Sequence, residues 1–294
     1  MKQEQKISNG VKKISLENSN YPKILKEIHD PPKTLYIRGD FSSKDEVAIG
    51  IVGTRNYTSY GKQVTENIAG DLAKMGITIV SGLAKGIDTW AHKAAIENDG
   101  RTIAVLGSAI DSKSVYPSCN RKLADKITKN GALISEYPPE TKSERWFFVQ
   151  RNRIISGLSL GILVVEAPEK SGALITAACA LEQNREVFAI PGSIYSKNSI
   201  GANKLIQMGA KLVTKANDIL EELNLPLIEK EKKSFKPKTK EEKSLLNILT
   251  KEPIHIDEIT KKSKLDTGFV SSTLIMLELK GIVKNTGGGY YALI

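Results

Sequence analysis

Two short segments concentrate the residue types that hold anions through main chain and cation together: Gly53-Thr54-Arg55, and Ser81-Gly82-Leu83-Ala84-Lys85-Gly86-Ile87-Asp88. Each follows an apolar run rich in β-branched residues, 47–52 and 77–80. Glycine just after a strand lets a phosphate or sugar approach the backbone closely. A guanidinium adds a planar fork of donors suited to a phosphodiester. Arg55 stands where a G-x-G-x-x-G dinucleotide fingerprint needs glycine, and the chain has no G-x-x-x-x-G-K-[ST] loop, so no nucleotide cofactor is expected.

A third cluster, Arg145-Trp146-Phe147-Phe148-Val149-Gln150-Arg151-Asn152-Arg153, places Arg151 and Arg153 on either side of Asn152. Several planar donors within three residues match repeated phosphates better than one small anion. The three aromatics are expected in the core, with base stacking as the competing use. Further on, Ser171-Gly172-Ala173 opens a helix with a hydroxyl and small residues, which aims backbone N–H groups at the same sheet edge. Glu166 ends another apolar run and is expected to orient Arg151 or Arg153 by an ion pair rather than to do chemistry. Asp88 is expected to cap the helix carrying Trp90 and His92, and His92, beside Ala91, Ala94 and Ala95, to be structural. Cys119, Cys179 and the three histidines have no metal-ligand spacing, so no metal is expected and both thiols are expected reduced.

The elements that must position these residues alternate. Apolar runs at 47–52, 77–80, 102–106, 162–165 and 187–190, with further strands at 132–135 and 211–214, are separated by helical patterns near 63–75, 89–97, 121–129, 173–184, 204–208 and 217–223. Continuous apolar runs are the mark of parallel strands buried on both faces. The fold class expected is α/β, an extended Rossmann-like, mostly parallel doubly wound sheet. Residues 1–20 read as a polar tail, 21–225 as the main domain with an edge strand at 35–37, and 226–243 as a charged linker. Residues 244–294, with helices at 245–249, 257–262 and 268–279 and a hairpin around Gly287-Gly288-Gly289, read as a small winged helix.

At 294 residues, 40% hydrophobic and 26% charged, the chain has the composition of a globular protein with a substantial core. Its net charge of +10 favours polyanionic partners without fixing a fold. The N-terminus has no apolar signal region and no stretch reaches a membrane-spanning length, so a cytoplasmic protein without membrane contact is expected.

Taken in order, Gly53-Thr54-Arg55, Ser81 to Asp88 with Ala91-His92, Thr102 to Gly107, Tyr116-Pro117, Ser135-Glu136-Tyr137-Pro138, Arg151 to Ile155, Val164 to Ala167 and Pro191-Gly192-Ser193 resemble the DNA-processing protein A family, also called DprA or Smf. The likeness repeats at successive strand ends from Tyr21 to Leu223. It implies a bacterial protein that binds single-stranded DNA, protects it and helps load the recombinase RecA, notably during natural transformation, without being an enzyme. Position by position, the implied phosphate pocket is Gly53, Thr54 and Arg55, with Ser81, Gly82 and Lys85 beside them and Arg151 and Arg153 flanking; Asn152, Ser171 and Gly172 join the expected binding residues on their own types and spacing. A homodimer through the stretch between Ile200 and Leu212 is also implied. Many members carry lysine where this chain has Ser118, a contact for which Arg121 or Lys122 would substitute; a leading helical domain found in many members is not expected here. The recognition helix of the winged unit has Ser271, Ser272 and Thr273 but no cation before Lys280, which predicts an accessory or protein-contacting role.

Two competing classes follow from the same residues. A nucleoside monophosphate could occupy the sheet edge, with Glu166 acting on its glycosidic bond. Alternatively, the winged helix could make the chain a regulator with the large domain as a sensor.

Overall fold

The computed structural model describes residues 5–8, 10–227, 239–250, 252–280 and 282–293. Two compact units divide the chain, Met1–Ile228 and Glu229–Ile294. In the first, β1 (Gln5–Ser8) and β2 (Val11–Ser15) form a hairpin, α1 (Lys23–Lys26) follows, and β3 (Thr34–Gly39) completes an antiparallel edge. Strands and helices then alternate: β4 (Ala48–Val52), α2 (Ser59–Lys74), β5 (Thr78–Ser81), α3 (Ile87–Glu97), β6 (Thr102–Leu106), α4 (Arg121–Ile127) and β7 (Gly131–Ser135). A helical pair, α5 (Arg145–Gln150) and α6 (Asn152–Gly157), leads to β8 (Gly161–Val164), α7 (Gly172–Glu182), β9 (Glu186–Ala189), α8 (Ile200–Gln207), β10 (Lys211–Leu212) and α9 (Ala216–Glu222).

These strands make one ten-stranded sheet in the order β1-β2-β3-β7-β6-β5-β4-β8-β9-β10. From β7 through β10 every neighbouring pair is parallel. The unbroken apolar character of β4 has a direct cause. Ala48 and Val52 join the core that α6 and α7 cover with Ile154, Ile155, Ala173 and Ala177. Ile49 and Ile51 face the opposite core, built with Ile68 and Leu72 of α2 and Ile87 and Ala91 of α3. With both faces covered, the polar half of the usual alternation disappears. The chain order reverses between adjacent β4 and β8, and in doubly wound sheets the crevice beyond the carboxyl ends of such strands is where ligands bind. Their parallel register, Val52 opposite Val164, brings the two exits together, and Thr54 N donates to the Glu166 carbonyl at 2.7 Å.

The structure corrects the expected elements at several points. Residues 11–15 belong to the sheet rather than a polar tail: β2 pairs with β3, and Val11 and Ile14 are buried. Helix α2 starts ahead of the expected 63, because Thr58 caps it, its hydroxyl accepting from Gly61 N at 3.1 Å. The last strand stops at Leu212, since Asp218 gathers the amides of Thr214 and Lys215 into a helix start.

The second unit contains α10 (Lys240–Ile248), β11 (Ile254–His255), α11 (Ile256–Ser263), α12 (Thr267–Leu279), β12 (Val283–Gly287) and β13 (Tyr290–Leu293), with strand order β11-β13-β12. Leu245, Ile259, Val270 and Leu274 form its core, and the arrangement is a winged helix. Residues 228–238 of the expected linker lie outside the described residues. From Lys240 that segment is helical, capped by Thr239 accepting from Glu242 N at 3.1 Å.

Candidate nucleic-acid interface

At the reversal point lies an open cleft of about 920 Å³. The loop after β4 supplies Gly53, Thr54, Arg55 and Asn56; α5 supplies Arg145, Trp146 and Phe148; the start of α7 supplies Lys170, Ser171 and Gly172. Arg55, Arg145 and Lys170 are exposed at its rim, and among the described residues no hydrogen bond or ion pair engages their side chains. Ser171 caps α7 by accepting from Ala173 N at 3.3 Å. Gly172 has open space where a side chain would stand, so the helix N-terminus is approachable from the cleft. Asn152 is buried on the floor, its amide donating to Gly172 O at 3.4 Å. Three uncommitted cations and a helix N-terminus around an open groove suit a chain of phosphates.

Several residues expected to touch phosphate are engaged by the protein instead. A Cβ on Gly53 would lie 2.6 Å from Ile87, and one on Gly82 would lie 2.0 Å from Arg151 Nη1. Both glycines therefore admit side chains of the fold, not a ligand. Ser81 is fully buried with its hydroxyl donating to Ile51 O at 2.6 Å. Gly82 N donates to Asp88 at 3.1 Å, and Thr54 N is taken by Glu166. Arg153 is turned away from the cleft: both Glu136 oxygens lie 2.8 Å from Nη2, and Asp30 lies 3.1 Å from Nε. Arg121 donates to the carbonyls of Lys113 and Val115, bracing that loop. Lys85 is exposed but stands outside the cleft lining.

Arg151 reaches the cleft floor from a buried position, donating to Val105 O. Burial pulls its pKa down to about 10, against the attraction of Asp88 and with added repulsion from Arg55. Asp88 does not cap α3 through that helix's amides; it sits in the first turn and accepts from Gly82 N and Ala84 N. Burial raises its pKa, with Arg151 and those two amides pulling the other way. His92 is structural: Thr102 donates its hydroxyl to Ile79 O at 2.7 Å and so accepts from His92 Nδ1 at 2.6 Å. Burial first, and Arg151 second, hold the His92 pKa at about 3.

Glu166 pairs with neither arginine. Its oxygens accept from Thr58 N at 2.9 Å and the Thr58 hydroxyl at 2.5 Å, and Gly61 leaves room for the carboxylate. It tethers the start of α2 to the end of β8 and does not line the cleft.

The aromatic trio divides. Phe147 is buried and stacks on Tyr137 at 3.7 Å between ring centroids, as a core residue should. Trp146 is 51% exposed, and Phe148 meets Tyr116 at 5.5 Å; all three of these rings line the cleft. Gly107 admits Phe148, whose Cα would lie 2.9 Å from an added Cβ. Arg145 and Lys170 were not among the site residues expected from the sequence. Arg145 opens the basic cluster visible in the sequence, and Lys170, directly before Ser171 and Gly172, is a cation beside a helix start.

Among the described residues there is no group of three or more His, Cys, Asp or Glu side chains able to hold a metal. Nor is any helix among them long and apolar enough to cross a membrane.

A doubly wound α/β unit with a cation-rimmed, aromatic-walled cleft at its reversal point, together with a winged helix, defines the class. Residues 12–224 match the model of DNA recombination-mediator protein A, and 229–289 that of the DprA winged helix domain. The chain belongs to the DNA recombination-mediator protein A family, whose members handle DNA. It is 51% identical over 216 residues to DNA processing protein DprA of Bacillus subtilis, covering 73% of this chain and 72% of that protein. To protein Smf of Escherichia coli it is 38% identical over 289 residues, 95% of this chain and 77% of that one. The structure of DprA from Streptococcus pneumoniae superposes with a TM-score of 0.68 at 43% identity, covering 71% of this chain and 73% of that one. DprA from Helicobacter pylori, described for its single-stranded DNA binding mode, does so at 0.64 and 33%, covering 72% and 95%.

Proposed function

We propose that this chain is a non-enzymatic, sequence-tolerant single-stranded DNA-binding protein that acts as a recombination mediator. It shelters the strand and helps load a RecA recombinase in the cytoplasm, in the processing of DNA taken up during transformation. The observation that carries this reading is the open cleft rimmed by Arg55, Arg145 and Lys170 and walled by Trp146, Phe148 and Tyr116. Cations tracking a backbone beside faces for stacking are what single strands require, and neither feature distinguishes one base from another. The Helicobacter pylori relative, described for single-stranded DNA binding, supports the same assignment.

Binding falls to the first unit, which we place at residues 21–225 together with the β1–β2 hairpin. Gly53, Thr54 and Arg151 shape the cleft floor, Gly82 making room for the Arg151 guanidinium, and the rim cations with Ser171 and Gly172 meet phosphate. Self-association through the stretch from Ile200 to Leu212 is part of the proposal, supported by the exposed apolar side chains of Ile200, Met208 and Leu212 there. Glu166, fully engaged by Thr58, offers little to a glycosidic-bond reaction. Anisotropy competition tests the proposal. Unlabelled single strands of unrelated sequence should displace an oligothymidylate equally, and duplex far less well; equal displacement by duplex would contradict it.

A further inference from the structure

We propose that the surface shared by α2 and α3, just outside the cleft, is a second contact for single-stranded nucleic acid that carries the strand onward past Arg55. The proposal rests on the cleft binding single-stranded DNA.

Trp90 is the residue that calls for an explanation. The buried face of α3 is formed by Ile87, Asp88, Ala91, His92, Ala94 and Ala95. Trp90 lies off that face, half-buried, with Lys93 one turn further on. Lys62 Nζ from α2 is 4.1 Å from the indole centroid and Lys93 Nζ is 4.3 Å from it. Tyr57, exposed, meets the same indole edge-on at 5.8 Å. Two ammonium groups are thus gathered over one ring. Glu66 offers Lys62 a carboxylate at 3.7 Å, while among the described residues none lies within ion-pairing distance of Lys93. Nothing in the core requires this arrangement, and its excess positive charge favours an anion.

Continuity with the cleft comes from the chain itself. Tyr57 follows Arg55 by two residues, at most about 7 Å of backbone. That loop rests on the start of α3: Ile87 N donates to Thr54 O at 3.2 Å, and Gly86 lies so close to Arg55 that an added Cβ would stand 2.7 Å from its Cα. A strand leaving the rim at Arg55 therefore meets Tyr57 and Trp90 next, with exposed Lys85 on the adjoining loop. A base laid on the indole displaces a lysine from the ring, and the freed ammonium is then in place for the neighbouring phosphate. Aromatic faces with mobile cations beside them make a sequence-tolerant contact.

The test compares two oligothymidylate lengths on the full chain, one of about 5 nucleotides that fills the cleft and one of about 20 that overruns it. Trp90→Ala should weaken binding of the long strand roughly tenfold, within the range expected for one stacked base, and leave the short one unchanged. Lys62→Gln with Lys93→Gln keeps the indole and should lower the salt slope of the long strand alone, by about 0.7 for each phosphate no longer neutralised. Unchanged long-strand binding in both variants, with Arg55→Ala weakening both lengths, would overturn the second contact and spare the cleft. Full binding of both lengths by Arg55→Ala would instead overturn the cleft reading, and the extension with it.

Discussion

At the scale of single residues, the cations sort by whether the protein already uses them. Arg55 has no partner among the described residues, whereas Arg153 is held by Glu136 and Asp30. Arg55→Ala should weaken single-strand binding for every sequence and reduce the salt slope by about 0.7, read by anisotropy over a salt series. Arg153→Ala should leave that slope alone and cost about 1.5–3 kcal/mol of stability by urea unfolding, because a charged hydrogen-bonded cluster loses its centre. The sequence displayed both arginines beside polar neighbours and held no sign of which carboxylates would claim one of them. The same limit applies to the strand-end glycines. Their presence was legible, but whether the space above them holds a phosphate or a side chain depends on Ile87, Arg151 and Phe148 arriving from distant elements. His92 carries a pH prediction. Its pKa, about 3 in the fold, lies below the ordinary 6.5, so the unfolded chain takes up the proton first. Stability from this group is complete above pH 6.5 and declines as pH falls toward 3, by about 1.4 kcal/mol per pH unit within that window. Asp88, with its pKa raised, has the opposite sign and loses stability as pH rises above 3.8. His92→Gln, which still offers Thr102 a donor, should flatten the loss between pH 6.5 and 5 in urea titrations; an unchanged slope would remove His92 as its source.

At the scale of elements, the parallel strands were readable because both their faces are buried, and the apolar runs at 47–52, 102–106 and 162–165 match β4, β6 and β8 closely. The edge hairpin was not readable for the complementary reason. In β2, Val11 enters the core beside Leu106 and Leu133 while Ile14 enters the opposite one beside Leu25 and Leu35, with two lysines between them. One apolar residue for each face produces neither a run nor an alternation. The start of α2 falls ahead of the expected position because Thr58 caps it locally through Gly61 N and is itself held in place by Glu166, 108 residues away. Thr58→Val keeps the side chain's shape but removes the cap acceptor and the hydroxyl donor to a buried carboxylate. It should lower stability by about 2 kcal/mol or more in thermal or urea unfolding, and because the α2 start adjoins the Arg55 loop, weaken DNA binding as well. A variant with native stability would show that the Glu166 tether is dispensable.

At the scale of the whole molecule, topology explains why the functional residues come from such separate parts of the sequence. Chain reversal between β4 and β8 brings Arg55 and Lys170, 115 positions apart, to one cleft, and α5 adds Arg145 and the exposed rings. The order of motifs along the sequence identified the family, and the likeness covers both units. Which side chains ring the opening could be seen only once the sheet was assembled. The net charge of +10 is a property of the whole chain, whereas the proposed binding rests on a few uncommitted cations in one groove. A titration of single-stranded DNA by anisotropy across a salt series, for the unaltered protein and for Arg55→Ala, Arg145→Ala and Lys170→Ala, tests that assignment most directly. Log affinity should fall linearly with log salt, steeply in the unaltered protein and with a slope shallower by about 0.7 in each variant. A flat salt response, or slopes unaffected by all three substitutions, would contradict it.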